Sequence, residues 1–291
     1  DIMNDLIHRP HGMILFTGPT GSGKSTSLYA ILQALARPEV NIITVEDPIE
    51  MNIEGINQVQ VNAEIGMTFA AALRSILRQD PNVILIGEIR DSETAQIAVR
   101  SAITGHLVLS TIHTNNALST IERLLDMDVE RYLLSTSMVG IIAQRLAKMI
   151  CKKCRIKRPT NDYEKKVFKI FMNKDVEEVW DANENGCPEC RKGYKGRIAV
   201  QEVLEFDDKL RSALNEKVSK EELSKLVYGD NTITLLQDGL GKVLDGETSF
   251  EEIYRIIEIE TGDLEDVTYG QSLTGNLDEE EQKQEETKEE K

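Results

Sequence analysis

The stretch GPTGSGKS at residues 18–25 decides the fold of this chain. It fits the pattern G-x-x-x-x-G-K-[ST], with an apolar segment at 13–16 before it and a helix-forming segment at 27–36 after it. Glycines in such a loop allow successive backbone N–H groups to point inward around an anion, at the positive end of the following helix. The sequence therefore predicts a strand, a phosphate-binding loop and a helix.

The expected ligand of this loop is ATP with Mg²⁺. Lys24 would reach the β and γ phosphates, and Ser25 would bind the magnesium ion. A glycine-rich turn that only imitates the motif is the alternative, and the agreement of motif, strand and helix argues against it. The candidate nucleotide-binding residues are Gly18, Pro19, Thr20, Gly21, Ser22, Gly23, Lys24, Ser25, Thr26 and Arg90.

Short apolar runs alternate with amphipathic helical patterns up to about residue 145. We predict strands at 13–16, 42–45, 83–86 and 107–110, and helices at 5–8, 68–78, 92–103, 118–125 and 132–146. Between residues 51 and 65 the pattern turns to short alternating runs, such as 57–61, which predicts a small hairpin. The succession of strands and helices favours an α/β fold with a mainly parallel sheet and helices on both faces.

The composition changes after Cys151, where the chain becomes basic and glycine-rich. A second, smaller unit is predicted from strand-like segments at 197–200 and 202–206 and from helices near 210 and at 163–171, 221–227, 235–244 and 249–257. The acidic, low-complexity end of the chain cannot bury enough surface to fold. We therefore divide the chain into a core at 1–147, a cysteine-bearing subdomain at 148–204, a helical subdomain at 205–260 and a disordered acidic tail at 261–291.

The net charge of the 291 residues is −16, from 50 acidic and 34 basic side chains. Residues 262–291 hold 11 acidic and 3 basic side chains, so half of the imbalance lies in the tail. An acidic chain repels nucleic acids, and we expect no direct nucleic-acid partner. The longest apolar stretches, such as 83–86, are far too short to span a bilayer and no secretory signal is present, so the expected location is the cytoplasm.

Carboxylates follow two of the predicted strands. Glu88 comes soon after 83–86, at the carboxyl end where open α/β sheets bind ligands, and is predicted to serve Mg²⁺ directly or through a water molecule. The segment TVEDPIE at 44–50 contains three carboxylates, among them Glu46 and Glu50. We expect one of them to orient the attacking water; a solvated turn is the alternative for this cluster.

His106 would enter a strand and His113 would leave it. His113 would then lie at the ligand-binding edge, within reach of the γ-phosphate. For His106, an ordinary structural hydrogen bond explains the residue equally well. Arg74, Arg78 and Arg90 could each contact nucleotide or a neighbouring subunit, with a surface ion pair as the alternative.

The four cysteines form two pairs, Cys151 with Cys154 and Cys187 with Cys190, separated by 32 residues. Two such knuckles predict a tetrahedral Zn²⁺ site of four thiolates. A closed four-sulfur site leaves no open position for catalysis, so the expected role of the zinc is structural. Redox-active dithiols and unliganded cysteines are the alternatives.

The segments GPTGSGKST (18–26), VEDPIE (45–50), LRSILRQDPNVILIGEIRD (73–91) and TGHLVLSTIHTNNA (104–117), with the two cysteine pairs, closely resemble the type II secretion and type IV pilus assembly ATPases. The resemblance covers nearly all of 5–257. It implies a RecA-like P-loop NTPase core that works as a hexameric motor at the inner face of the plasma membrane. Such a motor moves an inner-membrane platform protein and so adds pilin subunits.

The resemblance also implies roles for individual residues. Glu50 or Glu46 would polarise the water, with Glu50 slightly favoured, Glu88 would serve Mg²⁺, and His106 and His113 would form the family's His box. The implied cofactors are ATP, Mg²⁺ and Zn²⁺. Pilus-retraction ATPases of the same superfamily typically lack the cysteine pairs, so assembly or secretion is preferred over retraction.

Family members carry an amino-terminal domain before this core. The chain starts at Asp1 without an initiator Met, so we expect it to be cut from a longer protein that forms a homo-hexamer. The isolated chain is then expected to bind ATP, hydrolyse it slowly and be largely monomeric. Turnover near that of a full-length enzyme, or a stable hexamer in light scattering, would contradict this prediction.

Other functions remain as alternatives. One is a motor of the same superfamily for retraction, DNA uptake or conjugation. Another is a nucleotide-sensing scaffold that binds ATP without turnover, which the complete set of carboxylates and His113 argues against. A P-loop kinase is less favoured because no acceptor-binding segment or lid is recognisable.

Overall fold

The computed structural model describes residues 2–228 and 232–258 of the chain. The strands are β1 (Gly12–Thr17), β2 (Ile42–Glu46), β3 (Asn57–Gln60), β4 (Val83–Ile86), β5 (Leu107–Ile112), β6 (Met138–Ile150), β7 (Ile156–Pro159), β8 (Glu178–Asp181) and β9 (Tyr194–Glu205). The helices are α1 (Ile2–Ile7), α2 (Lys24–Leu35), α3 (Phe69–Ile76), α4 (Ser92–Ile103), α5 (Ala117–Asp126), α6 (Arg131–Ser137), α7 (Asp162–Met172), α8 (Asp208–Glu216), α9 (Lys220–Val227), α10 (Leu235–Leu244) and α11 (Phe250–Glu258).

Seven strands form one sheet in the order β3-β2-β4-β5-β1-β6-β9. The pairs β1–β5, β1–β6, β2–β3, β2–β4 and β4–β5 are all parallel. Every residue of β1 and β4 is buried, which explains why their sequences are continuously apolar or small. Because the strands are parallel, the carboxyl ends of β1, β2, β4 and β5 meet at one edge, the usual place for a ligand.

Both faces of the sheet are covered by helices. Successive residues of β1 alternate between two apolar clusters: Leu15 packs in a cluster with Leu73 of α3 and Val99 of α4, and Phe16 packs in a cluster with Leu32 of α2. Burying each such side chain contributes about 1.5–3 kcal/mol. The predicted α/β fold, with a mainly parallel sheet and helices on both faces, is confirmed.

The helix predicted over 132–146 is wrong beyond its first turns. α6 ends at Ser137, and the chain continues as β6, which is buried along most of its length beside β1. A strand buried on both faces shows no polar alternation, so the spacing of its apolar residues fitted a helix as well as a strand. Gly140 leaves space for Leu6 of α1, since a Cβ at position 140 would lie 2.7 Å from Leu6 Cδ1.

Two further expectations differ from the structure. β3 pairs in parallel with β2, with Val59 opposite Val45, so the hairpin predicted within 51–65 is wrong for this segment. A parallel neighbour requires a crossover instead of a tight turn. The two segments predicted at 197–200 and 202–206 form one continuous strand, β9, because burial alternates along its second half without interruption.

The chain forms two compact units. One contains the described parts of 1–146 and 199–238, and the other contains those of 147–198 and 239–258. The division drawn from the sequence follows chain order and differs from these units, because β9 brings the chain back to the sheet. The tail predicted at 261–291 lies outside the described residues.

The second unit contains an antiparallel pair, β7 with β8, and the predicted helices α7 and α11. Arg158 of β7 donates to Glu164 of α7 at 2.7 and 2.8 Å and also to Asp181 of β8. This arginine therefore ties the strand pair to the helix, and burial of the Glu164 carboxylate is offset by a bidentate ion pair. Within the described residues, no helix combines the length and the apolar character needed to cross a lipid bilayer.

Candidate functional site

The phosphate loop lies where the sequence places it, between β1 and α2. Gly18, Gly21 and Gly23 have φ angles of 143°, 81° and 86°, in the region that side chains disfavour. A Cβ at Gly18 would also lie 2.4 Å from the backbone oxygen of Gln144. Glycine at position 18 is therefore required both by conformation and by space.

Lys24 starts α2 and folds back over this loop. Its ammonium donates to the carbonyl oxygens of Gly18 at 2.6 Å and Pro19 at 3.0 Å, and the residue is only 8% exposed. Burial lowers the pKa of Lys24, the positive charge of Arg145 lowers it further, and the carboxylate of Glu88 opposes the shift. A bound polyphosphate would supply the negative charge that this buried cation lacks.

Ser22 shows that the loop is shaped for a ligand. Its hydroxyl is buried and has no hydrogen-bond partner among the described residues. A buried hydroxyl without a partner is costly, and an anion in the loop would accept its hydrogen bond. The donor set of the loop therefore fits a phosphate group.

Ser25 and Glu50 lie together beside the loop. The Ser25 hydroxyl donates to Glu50 Oε1 at 3.2 Å, and the carboxylate is exposed. The backbone N–H of Glu50 donates to the hydroxyl of Tyr29 on α2 at 3.2 Å. The structure thus holds the Glu50 backbone and leaves its carboxylate open to solvent.

Glu46 has a different environment at the end of β2. It is 4% exposed, and its carboxylate accepts hydrogen bonds from Thr44 Oγ1 at 2.5 Å, from Gln58 Nε2 at 3.0 Å and from the Tyr29 hydroxyl. Burial, and then the hydrogen bond to Glu46, raise the pKa of Tyr29 to about 12. Three donors already occupy the Glu46 carboxylate, so it is less available to a water molecule than Glu50 is.

Glu88 lies just after β4 and meets two groups of the predicted site. Arg90 Nη2 donates to Glu88 Oε1, and His113 Nε2 lies 3.4 Å from Glu88 Oε2. The hydrogen bond to Glu88 raises the pKa of Arg90. Only 14% of the Glu88 side chain is exposed, whereas Arg90 and His113 are open to solvent at 63% and 53%.

The structure does not bring His106 to this site. It precedes β5, so the whole strand separates it from His113 and it lies at the opposite edge of the sheet. Its Nδ1 lies 2.9 Å from the Ser101 carbonyl oxygen, which is an ordinary structural contact. Thr26 lies in the first turn of α2 with an exposed side chain.

Arg74 of α3 and Arg78, two residues beyond the end of that helix, make local surface contacts. Arg74 forms an exposed ion pair with Glu93 of α4, and Arg78 donates to the backbone oxygen of Arg74 at 2.6 Å. Surface ion pairs of this kind contribute about 0–1 kcal/mol to stability. Within this chain, these arginines make surface contacts.

Sequence reasoning missed Gln144 and Arg145, which lie against the phosphate loop, and Tyr29, which contacts the acidic segment through Glu46 and Glu50. Gln144 is 1% exposed, its Nε2 donates to Ser22 O at 2.8 Å, and its Oε1 accepts from Ser27 Oγ at 2.9 Å. The signal in the sequence is a Gln-Arg pair inside an otherwise apolar run. This pair indicates a functional role only if the segment is a buried strand such as β6, because polar side chains in a buried strand require hydrogen-bond partners.

The four cysteines of the second unit form one cluster. Their Sγ atoms all lie within 4.8 Å of one another, and each knuckle closes a tight turn, with Cys154 N–H donating to Cys151 O at 3.2 Å and Cys190 N–H to Cys187 O at 3.1 Å. The donor chemistry and the spacing of the sulfurs fit a tetrahedral metal ion.

The thiols of this cluster are not equivalent. Hydrogen bonds from backbone N–H groups, first that of Lys153, lower the pKa of Cys151 to about 7, whereas burial raises the pKa of Cys154 to about 12. Four sulfurs this close cannot all be negative unless a cation offsets their repulsion. Two of the basic residues nearby are engaged with other groups: Lys153 pairs with Glu189, and Arg155 stacks at 4.1 Å over the Trp180 ring.

The sequence profile described as Type II/IV secretion system protein matches residues 1–255. The Type II secretion system protein E of Pectobacterium carotovorum subsp. carotovorum is 50% identical over 260 residues, which are 89% of this chain and 51% of that protein. The Type II secretion system ATPase E of Vibrio cholerae is 49% identical over 257 residues, 88% of this chain and 50% of that protein. The chain thus spans about half the length of these curated relatives.

Two solved structures share the fold. The pilus retraction motor PilT with bound ADP has a TM-score of 0.65 and 31% identity, covering 88% of this chain and 64% of that one. The Legionella pneumophila ATPase DotB has a TM-score of 0.63 and 25% identity, covering 88% of this chain and 62% of that one. With a profile match over most of its length, this chain belongs to the type II/IV secretion system protein family.

Proposed function

We propose that this chain is the ATP-hydrolysing core of a motor that drives type II secretion or type IV pilus assembly. The observation that carries the proposal is the convergence of Lys24, Ser25, Glu50 and Glu88 at the loop that follows β1. Relatives named as type II secretion ATPases support the same activity. The structural likeness to a retraction motor supports ATP hydrolysis by this core. Experiment must decide whether the motor drives assembly, secretion or retraction.

The proposed chemistry divides among these residues. Backbone N–H groups of the loop, Ser22 and Lys24 bind the phosphates, and Ser25 with Glu88 would hold Mg²⁺, Glu88 either directly or through a water molecule. The magnesium ion, when bound, supplies positive charge that stabilises the transferring phosphoryl group. Glu50, exposed beside Ser25, orients and deprotonates the attacking water.

The remaining predicted residues support this arrangement. Glu46 holds β2, α2 and the acidic segment together through its three hydrogen bonds. His113 keeps contact with Glu88 and responds to the loss of the γ-phosphate, and Arg90 offsets the charge of Glu88 and reaches solvent where a nucleotide can meet it. His106 is proposed to be structural.

Phosphate release from ATP tests the activity. We expect slow, Mg²⁺-dependent release by the chain, abolished by chelation of Mg²⁺, together with binding of a fluorescent ADP analogue. Nucleotide binding without phosphate release, in a longer form of the protein as well as in this chain, is the result that would identify a nucleotide-sensing scaffold instead.

The partners are proposed from the relatives. A motor of this family would act as a homo-hexamer in the cytoplasm, attached to the membrane through an inner-membrane platform protein. Pull-down of the full-length protein from its own cell membranes, followed by mass spectrometry, should recover a platform protein of a secretion or assembly system. Recovery of retraction or DNA-transfer components would contradict the assignment to assembly or secretion.

We further propose that the cysteine cluster binds one structural Zn²⁺, since four sulfurs in mutual contact distance fit a tetrahedral site. Metal analysis of the purified chain should find about one zinc ion per chain. Cys187→Ser should lose the metal and lower the melting temperature, because the zinc contributes directly to folding. The matched control is Lys152→Ala, an exposed residue of the first knuckle that leaves all four sulfurs in place. A folded chain without metal would refute the site.

A further inference from the structure

Arg145 is a buried cation that none of the roles above uses. It lies in β6 directly after Gln144 and is only 3% exposed. Its Nη1 donates to Gln144 O at 2.9 Å and its Nη2 donates to Asn115 O at 2.7 Å. A guanidinium in the interior is costly unless its donors are paired, so a buried arginine of this kind points to a positional role.

One of these acceptors belongs to the loop between β5 and α5. This loop begins at His113, the residue that meets Glu88, and Asn115 lies two residues further along. Thr17 of β1 holds the same loop from another side, donating to Thr114 O and accepting from Thr114 N–H at 3.1 Å. The position of His113 is therefore fixed by hydrogen bonds from β1 and β6 to the two residues that follow it.

The other acceptor belongs to the support of the phosphate loop. Gln144 holds Ser22 O through its side chain, and Arg145 holds the backbone oxygen of Gln144. A Cβ at Gly18 would lie 2.9 Å from Arg145 Nη1, so the guanidinium is in close contact with the start of the loop. One planar group thus contacts both the phosphate loop and the loop that carries His113.

We propose that Arg145 is a positioning residue that sets the phosphate loop and the His113 loop at the spacing required for hydrolysis. The inference rests on the proposed function of the site. The N–H donors of the guanidinium point in fixed directions, which a flexible ammonium cannot reproduce. The geometry of Arg145 therefore serves turnover, while its charge, which also lowers the pKa of Lys24, serves phosphate affinity.

Arg145→Lys separates these two contributions, because it keeps the charge and loses the planar fork. In the whole chain we expect kcat for ATP hydrolysis to fall about 10- to 100-fold, as misplacement by about 1 Å can cost 100-fold. The Kd for a fluorescent ADP analogue should stay within about threefold of that of the unmodified chain, because the charge is kept. Arg100→Lys, at an exposed arginine of α4, is the matched control and should change neither quantity.

Thr17→Val provides an independent test from β1. It removes the hydroxyl that holds Thr114 and leaves Arg145 intact, so it should also lower kcat and spare ADP affinity. This variant decides the matter if thermal unfolding shows that Arg145→Lys does not fold.

Two results would overturn the inference. One is unchanged kcat in a folded Arg145→Lys chain, or in Thr17→Val where the first variant does not fold. The other is a loss of ADP affinity equal to the loss of kcat, which would indicate general disruption of the site. An unmodified chain that binds ADP yet shows no hydrolysis would instead refute the proposed function, so the two failures are distinguishable.

Discussion

Lys24→Ala is expected to abolish nucleotide binding by the chain at concentrations that saturate the unmodified protein. The ammonium is the charged donor of the phosphate loop, and hydrogen bonds to charged groups contribute about 1.5–3 kcal/mol each. Losing two such bonds to phosphate weakens binding about 100-fold or more, since each 1.4 kcal/mol changes Kd about tenfold. Titration with a fluorescent ADP analogue measures the effect.

Thermal unfolding separates this loss from damage to the fold. The pKa of Lys24 is lowered, chiefly by burial, so its charged form is less favourable in the folded than in the unfolded chain. At neutral pH that charge costs stability, which offsets the loss of the two hydrogen bonds to Gly18 and Pro19, so the melting temperature of the variant should change little. Lys209→Ala, at an exposed lysine of α8, is the matched control for binding. ADP affinity within threefold of the original in Lys24→Ala would refute the assignment of the loop.

The phosphate loop, the first strands and the cysteine cluster could be predicted from the sequence because their signals are local. Residues 18–25 specify a turn, a backbone conformation and a charge within eight positions. The cysteine spacing likewise predicts that the four Sγ atoms lie together, and in the structure they lie within 4.8 Å of one another. Such features depend little on the rest of the fold.

Features that depend on the order of strands could not be predicted in the same way. The predicted strand already separates His106 from His113, whereas the family resemblance groups them as a His box, and β5 places the two residues at opposite edges of the sheet. The role of Arg145 is hidden in the sequence, because the spacing of apolar residues over 132–146 predicts a helix. In the structure β6 is a buried strand beside β1, where a charged side chain requires a partner. Arg145 finds one in Asn115 O of the loop that carries His113.

The spacing of Glu46 and Glu50 in the sequence does not decide which of them is the general base, whereas their burial in the structure favours one of them. Glu46 ends β2 and Glu50 follows it four residues later, so the sequence offers either as the base. In the structure Glu46 is buried under three donors, whereas Glu50 is exposed beside Ser25. A base must have a free lone pair for the water, and this favours Glu50.

Glu50→Gln should therefore keep nucleotide binding and lose hydrolysis. The amide has the same shape and can still accept from Ser25, so the ADP affinity should change little. It cannot take a proton from water, and loss of a general base typically lowers kcat about 10²- to 10⁴-fold. Single-turnover phosphate release, with ADP affinity measured on the same preparation, gives both quantities.

Glu46→Gln is the matched control, since it makes the same chemical change four residues away. The new amide N–H₂ would face donors of Thr44, Gln58 and Tyr29 that now share one carboxylate, so at least one buried donor loses its acceptor. We expect this to lower the free energy of unfolding by about 1–3 kcal/mol and to affect kcat far less than Glu50→Gln. If Glu46→Gln folds normally and loses hydrolysis while Glu50→Gln turns over at the original rate, the base is Glu46. The exposure of Glu50 would then have no part in catalysis. The result would show that a buried carboxylate that accepts three hydrogen bonds can still take a proton from water.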